Sequence, residues 1–293
     1  MRTGALIILY NPELEAVDKA VNMLAVQVEI ICLIDNSSTL LSEHFSQRDN
    51  VRYIPLSENL GIAAAQNIGI QYLKESGMDF VLFSDQDSLC NNGLVEKLLS
   101  SYYLLEKNNY PVATIGPVPV NKKTGKPYLI KQNIIHHFSL KTESGQSSNF
   151  CQMYSIISSF SLTRISVFDK VGLFEEDLFI DGVDNEWGWR AMNKYGLNSY
   201  IAKDLKIQHF QGDDTRLPIK KSTPFRSYYQ FRNYFILVRR NYTPQFWKHK
   251  NAIKYFIKLF AYPLFISPRW AFLKNIIKGC YDGITYNTNG KPL

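Results

Sequence analysis

Residues 78–88 read MDFVLFSDQDS: an apolar run that ends in Ser84 and two carboxylates, Asp85 and Asp87, with Gln86 between them. A run of this length and composition fits a strand buried on both faces. Successive side chains of an extended chain alternate, so Asp85 and Asp87 point one way and Gln86 the other. Two carboxylates on one side repel each other unless something neutralises them. A divalent cation bridging to a phosphate does this, and so does solvent around two turn-forming residues.

Outward from this stretch the same organisation repeats. GALIILY (4–10), VEIICLID (28–35) and VRYIPL (51–56) are further strand-like runs. After the first, Asn11-Pro12-Glu13 supplies a cap, a proline at the first helical position and an early acid, which predicts a helix to about Val26. ENLGIAAAQNIGIQYLKESG (58–77) reads as a second helix. Continuous apolar strands separated by helices predict an α/β fold with a mainly parallel, doubly wound sheet. Ligands of such sheets bind beyond the carboxyl ends of the strands. Asn11, Asp35-Asn36-Ser37 and Asp85-Gln86-Asp87 all lie there. Residues 117–149, rich in Pro, Gly, Lys and Ser, read as a loop or hairpin excursion that includes His136-His137. From Met153 a strand and a short helix follow. DGVDNEWGWRAMNKYG then predicts a helix from about Asp184 to Tyr195, stopped by Gly196.

The 293 residues, 45% of them apolar, suffice for one large α/β domain with an appendage. Four scattered cysteines without a C-x-x-C argue against a disulfide framework or a zinc knuckle and suit a reducing cytoplasm. The N-terminal apolar run is too short for a signal peptide, and no run is long enough to span a membrane. Charge divides the chain near Arg216. Residues 1–215 hold 18 Lys and Arg against 25 Asp and Glu, whereas residues 216–293 hold 15 against one, Asp282, together with 18 of the 40 aromatic residues. The expected organisation is therefore a domain over 1–215 and a helical, basic and aromatic segment over 216–293. Such a segment suits an anionic membrane surface or a nucleic acid, with a helical cap or a self-association surface as the plainer reading. The acidic first 215 residues speak against nucleic acid.

Each polar cluster has a chemical and a plain reading. Asp35-Asn36-Ser37 is either a base-recognition turn, its carboxylate accepting from a ring N–H, or an Asx turn. In ENLGIAAAQ, Gly61 and the alanines either admit a ligand to free N–H groups at a helix start or pack helix on sheet. Asp181, Asp184 and Glu186 crowd the start of a helix whose dipole favours acids anyway. Beside Trp187, Trp189 and Arg190 they also make a sugar-stacking platform with a proton acceptor, Asp184 and Trp187 sharing a face at i and i+3. His209, followed by Asp213 and Asp214, either packs or joins a cation site with the D-x-D turn.

In order along the chain, ILYNP (8–12), LIDNSS (33–38), ENLGIAAAQNIGI (58–70), FSDQDS (83–88), FIDGVDNEWGWRA (179–191), HFQGD (209–213) and FRSYYQFRNYF (225–235) resemble the family 2 glycosyltransferases of GT-A fold, most closely the bacterial rhamnosyltransferases that build cell-surface polysaccharides. The resemblance covers residues 4 to about 240. It implies a nucleotide site formed by Tyr10, Asn11, Asp35, Asn36, Ser37, Asn59, Gly61, Asp85 and Gln86, with Asp35 toward the base. It implies Mg²⁺ or Mn²⁺ on Asp85 and Asp87, completed by His209, and Asp184 as the base that activates an acceptor hydroxyl. Many relatives carry an acidic pair where this chain has Val183-Asp184, which leaves Asp181 or Glu186 as alternative bases and a catalytically silent scaffold as an alternative function. The implied donor is dTDP-L-rhamnose, with other UDP- or dTDP-hexoses as alternatives. The implied acceptor is an oligosaccharide or undecaprenyl-diphosphate-linked glycan, met at the inner face of the plasma membrane.

Overall fold

Four strands carry the apolar runs: β1 (Thr3–Leu9), β2 (Ile30–Asp35), β3 (Val51–Pro55) and β4 (Phe80–Asp85). They are described, like everything below, from a computed structural model that covers residues 1–38, 45, 48–121, 125, 127, 131–209 and 222–286. All four run parallel in the order β3-β2-β1-β4. In β1, β2 and β4 alternate side chains enter opposite cores, which is why those runs are apolar throughout, whereas the edge strand β3 is only partly covered. Ala5, Ile7, Leu9, Ile31, Leu33, Phe80 and Leu82 face α1 (Leu14–Leu24) and α3 (Leu94–Lys107). Leu6, Cys32, Ile34, Val81 and Phe83 face α2 (Ile62–Glu75). Each fully buried Leu, Ile or Phe contributes about 1.5–3 kcal/mol of transfer free energy, so two such faces hold this half of the sheet firmly.

Beyond β4 the sheet departs from the expected parallel order. The short β8 (Leu162–Arg164) inserts antiparallel between β4 and β5 (Val112–Asn121). Next come β9 (Asn198–His209), parallel to β5, and the antiparallel hairpin of β6 (Ile134–Lys141) and β7 (Ser147–Met153), giving one nine-stranded mixed sheet. His136 and His137 thus lie in a strand rather than a loop, with the His137 ring nitrogen 2.7 Å from Cys151 Sγ. The outer hairpin is solvent-facing on one side, so its polar alternation reads locally like a loop.

Five more helices complete the described residues: α4 (Ile165–Val171), α5 (Val183–Tyr195), α6 (Pro224–Val238), α7 (Gln245–Phe265) and α8 (Arg269–Thr285). Gly196 ends α5 in the left-handed region, as its sequence position predicts. The first helix starts differently from expectation. It begins at Leu14, while Asn11 takes φ 43° and its N–H donates to Ser37 Oγ at 2.8 Å, so Asn11 serves the strand ends rather than the helix cap. The basic C-terminal stretch is not a detached appendage. Ile236, Leu237 and Tyr242 pack into the second core with Val183 and Trp187, while Phe231, Tyr255, Tyr262, Ile266, Phe272 and Ile276 form a core of their own between α6, α7 and α8. The expected division near Arg216 falls outside the described residues.

Candidate active site

Strand register sets the corner where a ligand would bind. Leu9 pairs with Asp35 and Ile8 with Asp85, which places the two acids at the carboxyl edge of the sheet on either side of β1. Side chains stitch this edge together. Gln86 Oε1 accepts from Tyr10 N at 2.8 Å, and Asn36 Oδ1 accepts from Leu60 N at 2.8 Å while Asn36 Nδ2 donates to Asn59 Oδ1 at 3.0 Å. The loop before α2 is thereby clasped to the end of β2. At its last residue, Gly61, φ is 85° and an added Cβ would lie 2.6 Å from the Phe179 ring and 2.8 Å from the Phe179 carbonyl oxygen. Gly61 is needed there on both counts.

Asp35 is wholly covered. One carboxylate oxygen accepts from Ser37 N at 3.0 Å and the other from the Tyr53 hydroxyl, so in this structure it organises the turn from beneath. The groups left facing solvent at that corner are Tyr10 and Asn11, with Asn59 half-buried beside them.

The second half of the site is brought in by residues 158–161. Phe83 N donates to Ser161 O, and Phe160 N donates to Phe83 O, so this segment runs along the end of β4 beside the D-x-D turn. On it, Ser158 donates from its backbone N, at 3.2 Å, and from its hydroxyl to the two oxygens of Asp184 in the first turn of α5. Gln66 of α2 also donates to Ser158 Oγ, at 3.2 Å. Asp184 is pushed up to about 6, first by burial, against the two bonds from Ser158 that favour its charge, and further by the negative charge of Asp85. The two acids therefore share one electrostatic neighbourhood. Asp87 stands exposed on the turn beyond Asp85, and Ser88 donates from its hydroxyl toward Asp85 at 3.4 Å.

The structure corrects several expected roles on α5. Trp187 is 3% exposed, its ring among Phe168 and Phe174 and its Nε1 donating to Gly172 O at 2.9 Å. Trp189 is 0% exposed against Trp247. Neither offers a face to a sugar, because α5 is sandwiched between the sheet and the C-terminal helices. Arg190 and Glu186 form a buried bidentate pair; Arg190 also donates to the carbonyls of Val171 and Leu173, and Glu186 accepts from the Tyr242 hydroxyl at 2.8 Å. They lock helix packing, which removes Glu186 as an alternative base and Arg190 as an acceptor contact. Asp181 is held at φ 64° in a bidentate pair with Arg226, at 2.9 and 2.8 Å. Val183, where many relatives carry an acid, is 3% exposed in the core, so that position points away from the ligand edge. Asp184 is left as the acid on α5 that faces the strand ends.

His209 ends β9 opposite Asn121, but its side chain, with Asp213 and Asp214, lies outside the described residues. Among the described residues there is no cluster of three His, Cys, Asp or Glu side chains. Residues that the sequence did not single out also matter here. Besides Ser158 and Tyr53 these include Asn233 of α6, whose Nδ2 lies 2.7–2.8 Å from the carbonyls of Leu178, Ile180 and Asp181 and so holds the loop leading into Asp184. Asn233 lies inside FRSYYQFRNYF, and its spacing gives no hint of a target more than 50 residues away.

The fold is of the GT-A type that glycosyltransferases share. The chain belongs to glycosyl transferase family 2, whose model matches residues 5–172. It is 33% identical over 296 residues to the dTDP-rhamnosyl transferase RfbF of Shigella flexneri, covering 98% of this chain and 96% of that one. Among solved structures, S. aureus TarS 1–349 in complex with UDP-GlcNAc superimposes with a TM-score of 0.54 at 14% identity, over 96% of this chain and 82% of that one. GalNAc-T7 with UDP, GalNAc and Mn²⁺ also gives 0.54 at 14% identity, with 90% of this chain spanning 57% of that one. Both are likenesses of fold.

Proposed function

We propose that this glycosyltransferase moves L-rhamnose from dTDP-L-rhamnose, with inversion, to a hydroxyl of a lipid-linked or growing cell-surface glycan. The observation that carries this reading is the closeness of Asp184 to Asp85 at the carboxyl end of β4, where the charge of Asp85 acts on Asp184. The likeness to a named dTDP-rhamnosyl transferase over nearly the whole chain supports the choice of donor.

In this mechanism Tyr10, Asn11 and Asn59 line the nucleotide corner, and Asp35, Asn36, Ser37, Gln86 and Gly61 fix its shape. Asp85 and Asp87 suit Mg²⁺ or Mn²⁺, because both are hard oxygen donors on an open turn and such ions take one or two carboxylates plus phosphate oxygens. The ion, when bound, neutralises the charge that develops on the departing diphosphate. Asp184 accepts the proton of the acceptor hydroxyl as its oxygen attacks the anomeric carbon. The bond from that carbon to the diphosphate breaks on the opposite face and dTDP leaves. Ser158 orients the base for this step. No covalent sugar intermediate on the protein is required.

The acceptor reading extends to a membrane surface. None of the described helices is long and apolar enough to cross a bilayer. Yet Ile253, Phe256, Ile257, Phe260 and Leu264 stand exposed along α7, and Trp270 of α8 is 82% exposed. Lys250, Lys254, Lys274 and Lys278 flank them, also exposed. A soluble domain rarely shows so many large apolar side chains together, and a lysine border matches an anionic leaflet.

A thermal-shift panel of nucleotide sugars, each with and without Mn²⁺, tests the donor and metal assignments. The expected result is a rise in melting temperature with dTDP-L-rhamnose that requires the metal and is lost in Asp85→Asn. An equal rise without metal would remove the role given to Asp85 and Asp87, and a rise confined to a UDP-sugar would replace the donor.

A further inference from the structure

We propose that Arg226, Lys254 and Lys258, where α6 crosses α7, form a binding site for a phosphate or diphosphate monoester group carried by the acceptor. The word acceptor rests on the sugar-transfer reading above; the anion site itself does not.

Lys258 is the central observation. It is 7% exposed, and its Nζ donates to Gln230 Oε1 at 2.7 Å and lies 5.1 Å from the Tyr262 ring centre and 5.8 Å from that of Tyr255. Among the described residues no carboxylate forms an ion pair with it. Burying an ammonium that lacks an anion costs several kcal/mol, and amide and ring contacts repay only part of that. The surrounding charge deepens the imbalance. Lys254 lies one turn earlier on α7, its Nζ 5.1 Å from the Tyr255 ring centre, and Arg226 stands across on α6. Among the described residues Asp181 is the one acid whose charge acts on Lys258, and its two oxygens are already held by Nε and Nη2 of Arg226. Burial, then Lys254, pull the Lys258 ammonium down to about 7, with Arg226 adding to the effect. A dianionic group between these cations would offset the repulsion from Lys254 and Arg226 and favour the charged ammonium.

Position ties the site to the reaction. Asp181 belongs to the loop that Asn233 holds and that leads within three residues to Asp184. An anion bound at Lys258 is therefore adjacent to the loop that presents the base. The lysine ammoniums suit a phosphate as point charges, and Arg226, whose Nε and Nη2 hold Asp181, has Nη1 left to donate. Phe256 and Phe260 stand exposed on the opposite face of α7, so a lipid attached to that phosphate reaches them only around the helix.

The test is calorimetric titration of the full chain, in EDTA and without lipid, with inorganic diphosphate and with farnesyl diphosphate below its micelle concentration. Lys258→Met, which keeps the side-chain volume, should lose at least tenfold in affinity for both, and Lys254→Gln, at an exposed position, several-fold. In parallel, dTDP with Mn²⁺ should bind both variants as it binds the wild type, which shows that they are folded. Tighter binding of farnesyl diphosphate supports a lipid-linked phosphate; equal binding supports the anion site with a phosphate from another source. Wild-type affinity in Lys258→Met, or competition between inorganic diphosphate and dTDP, overturns the proposal. If wild type binds no dTDP but Lys258→Met still loses diphosphate, the anion site stands and the donor reading falls.

Discussion

At the scale of single residues, the proposed mechanism turns on Asp184 and Ser158. A general base contributes about 10²–10⁴-fold, so Asp184→Asn should lower the turnover number by that factor while leaving dTDP affinity near wild type. Catalysis needs the ionised form, so kcat/KM should fall below about pH 6, where Asp184 takes up its proton. Removing the Ser158 hydroxyl withdraws a bond that favours the charged form. Ser158→Ala should therefore move the acid limb to higher pH, and an unchanged limb would show that another group sets it. The same group has a stability consequence of known sign. Its pKa in the folded state lies above the ordinary aspartate value, so the folded state binds more protons between about pH 4 and 6 and loses stability as pH rises through that window. The amount is on the order of 2–3 kcal/mol. In metal-free protein, urea unfolding of Asp184→Asn should lack that part of the pH dependence, and the variant should match or exceed wild-type stability at pH 7.5.

At the scale of elements, the site depends on α6 as much as on the sheet. Residues 178–182 turn through positive φ at Phe179, Asp181 and Gly182, a costly path that requires support. Asn233 gives that support through three carbonyls, and Arg226 adds the ion pair to Asp181. Asn233→Ala leaves these carbonyls without their donor and should cost about 2–4 kcal/mol in urea unfolding. Turnover should drop further than dTDP affinity does, because the loop leads into the proposed base, Asp184, and not into the nucleotide corner. A loss of stability with turnover intact would mean that Asn233 holds the helix but not the active loop. The buried network of Glu186, Arg190 and Tyr242, with Arg240 bonded to Glu175 at 2.6 Å, fixes α5 against the same C-terminal helices. This is why the tryptophans of NEWGWR became core: a helix covered on two sides buries side chains that one amphipathic stripe would have left outside.

At the scale of the molecule, charge and apolar surface are sorted to one end. Residues 216–293 hold 15 Lys and Arg and one acid, and α7 and α8 display Phe256, Phe260, Phe265 and Trp270. The protein should co-sediment with vesicles containing phosphatidylglycerol and not with pure phosphatidylcholine. High salt should weaken the binding by screening. Phe256→Ser combined with Phe260→Ser should reduce it several-fold while leaving dTDP affinity unchanged. Vesicle binding that ignores both salt and these substitutions would assign the apolar face to another partner.

What the sequence determined by itself was whatever depends on neighbours along the chain. GALIILY, VEIICLID and DFVLF announced buried parallel strands because their period and composition allow little else, and FSDQDS placed two acids at a strand end by alternation alone. The Gly196 stop and the Asp184–Tyr195 helix were legible for the same local reason. What only the tertiary structure decided depends on partners far apart in sequence. Asp35 meets Tyr53, Asp184 meets Ser158, Asp181 meets Arg226 and Asn233 meets Leu178 across separations that no periodicity encodes. The choice among Asp181, Asp184 and Glu186 belonged to that second kind. Two of the three acids are held by arginines, Arg226 and Arg190, and the third alone faces the edge where Asp85 and Asp87 wait.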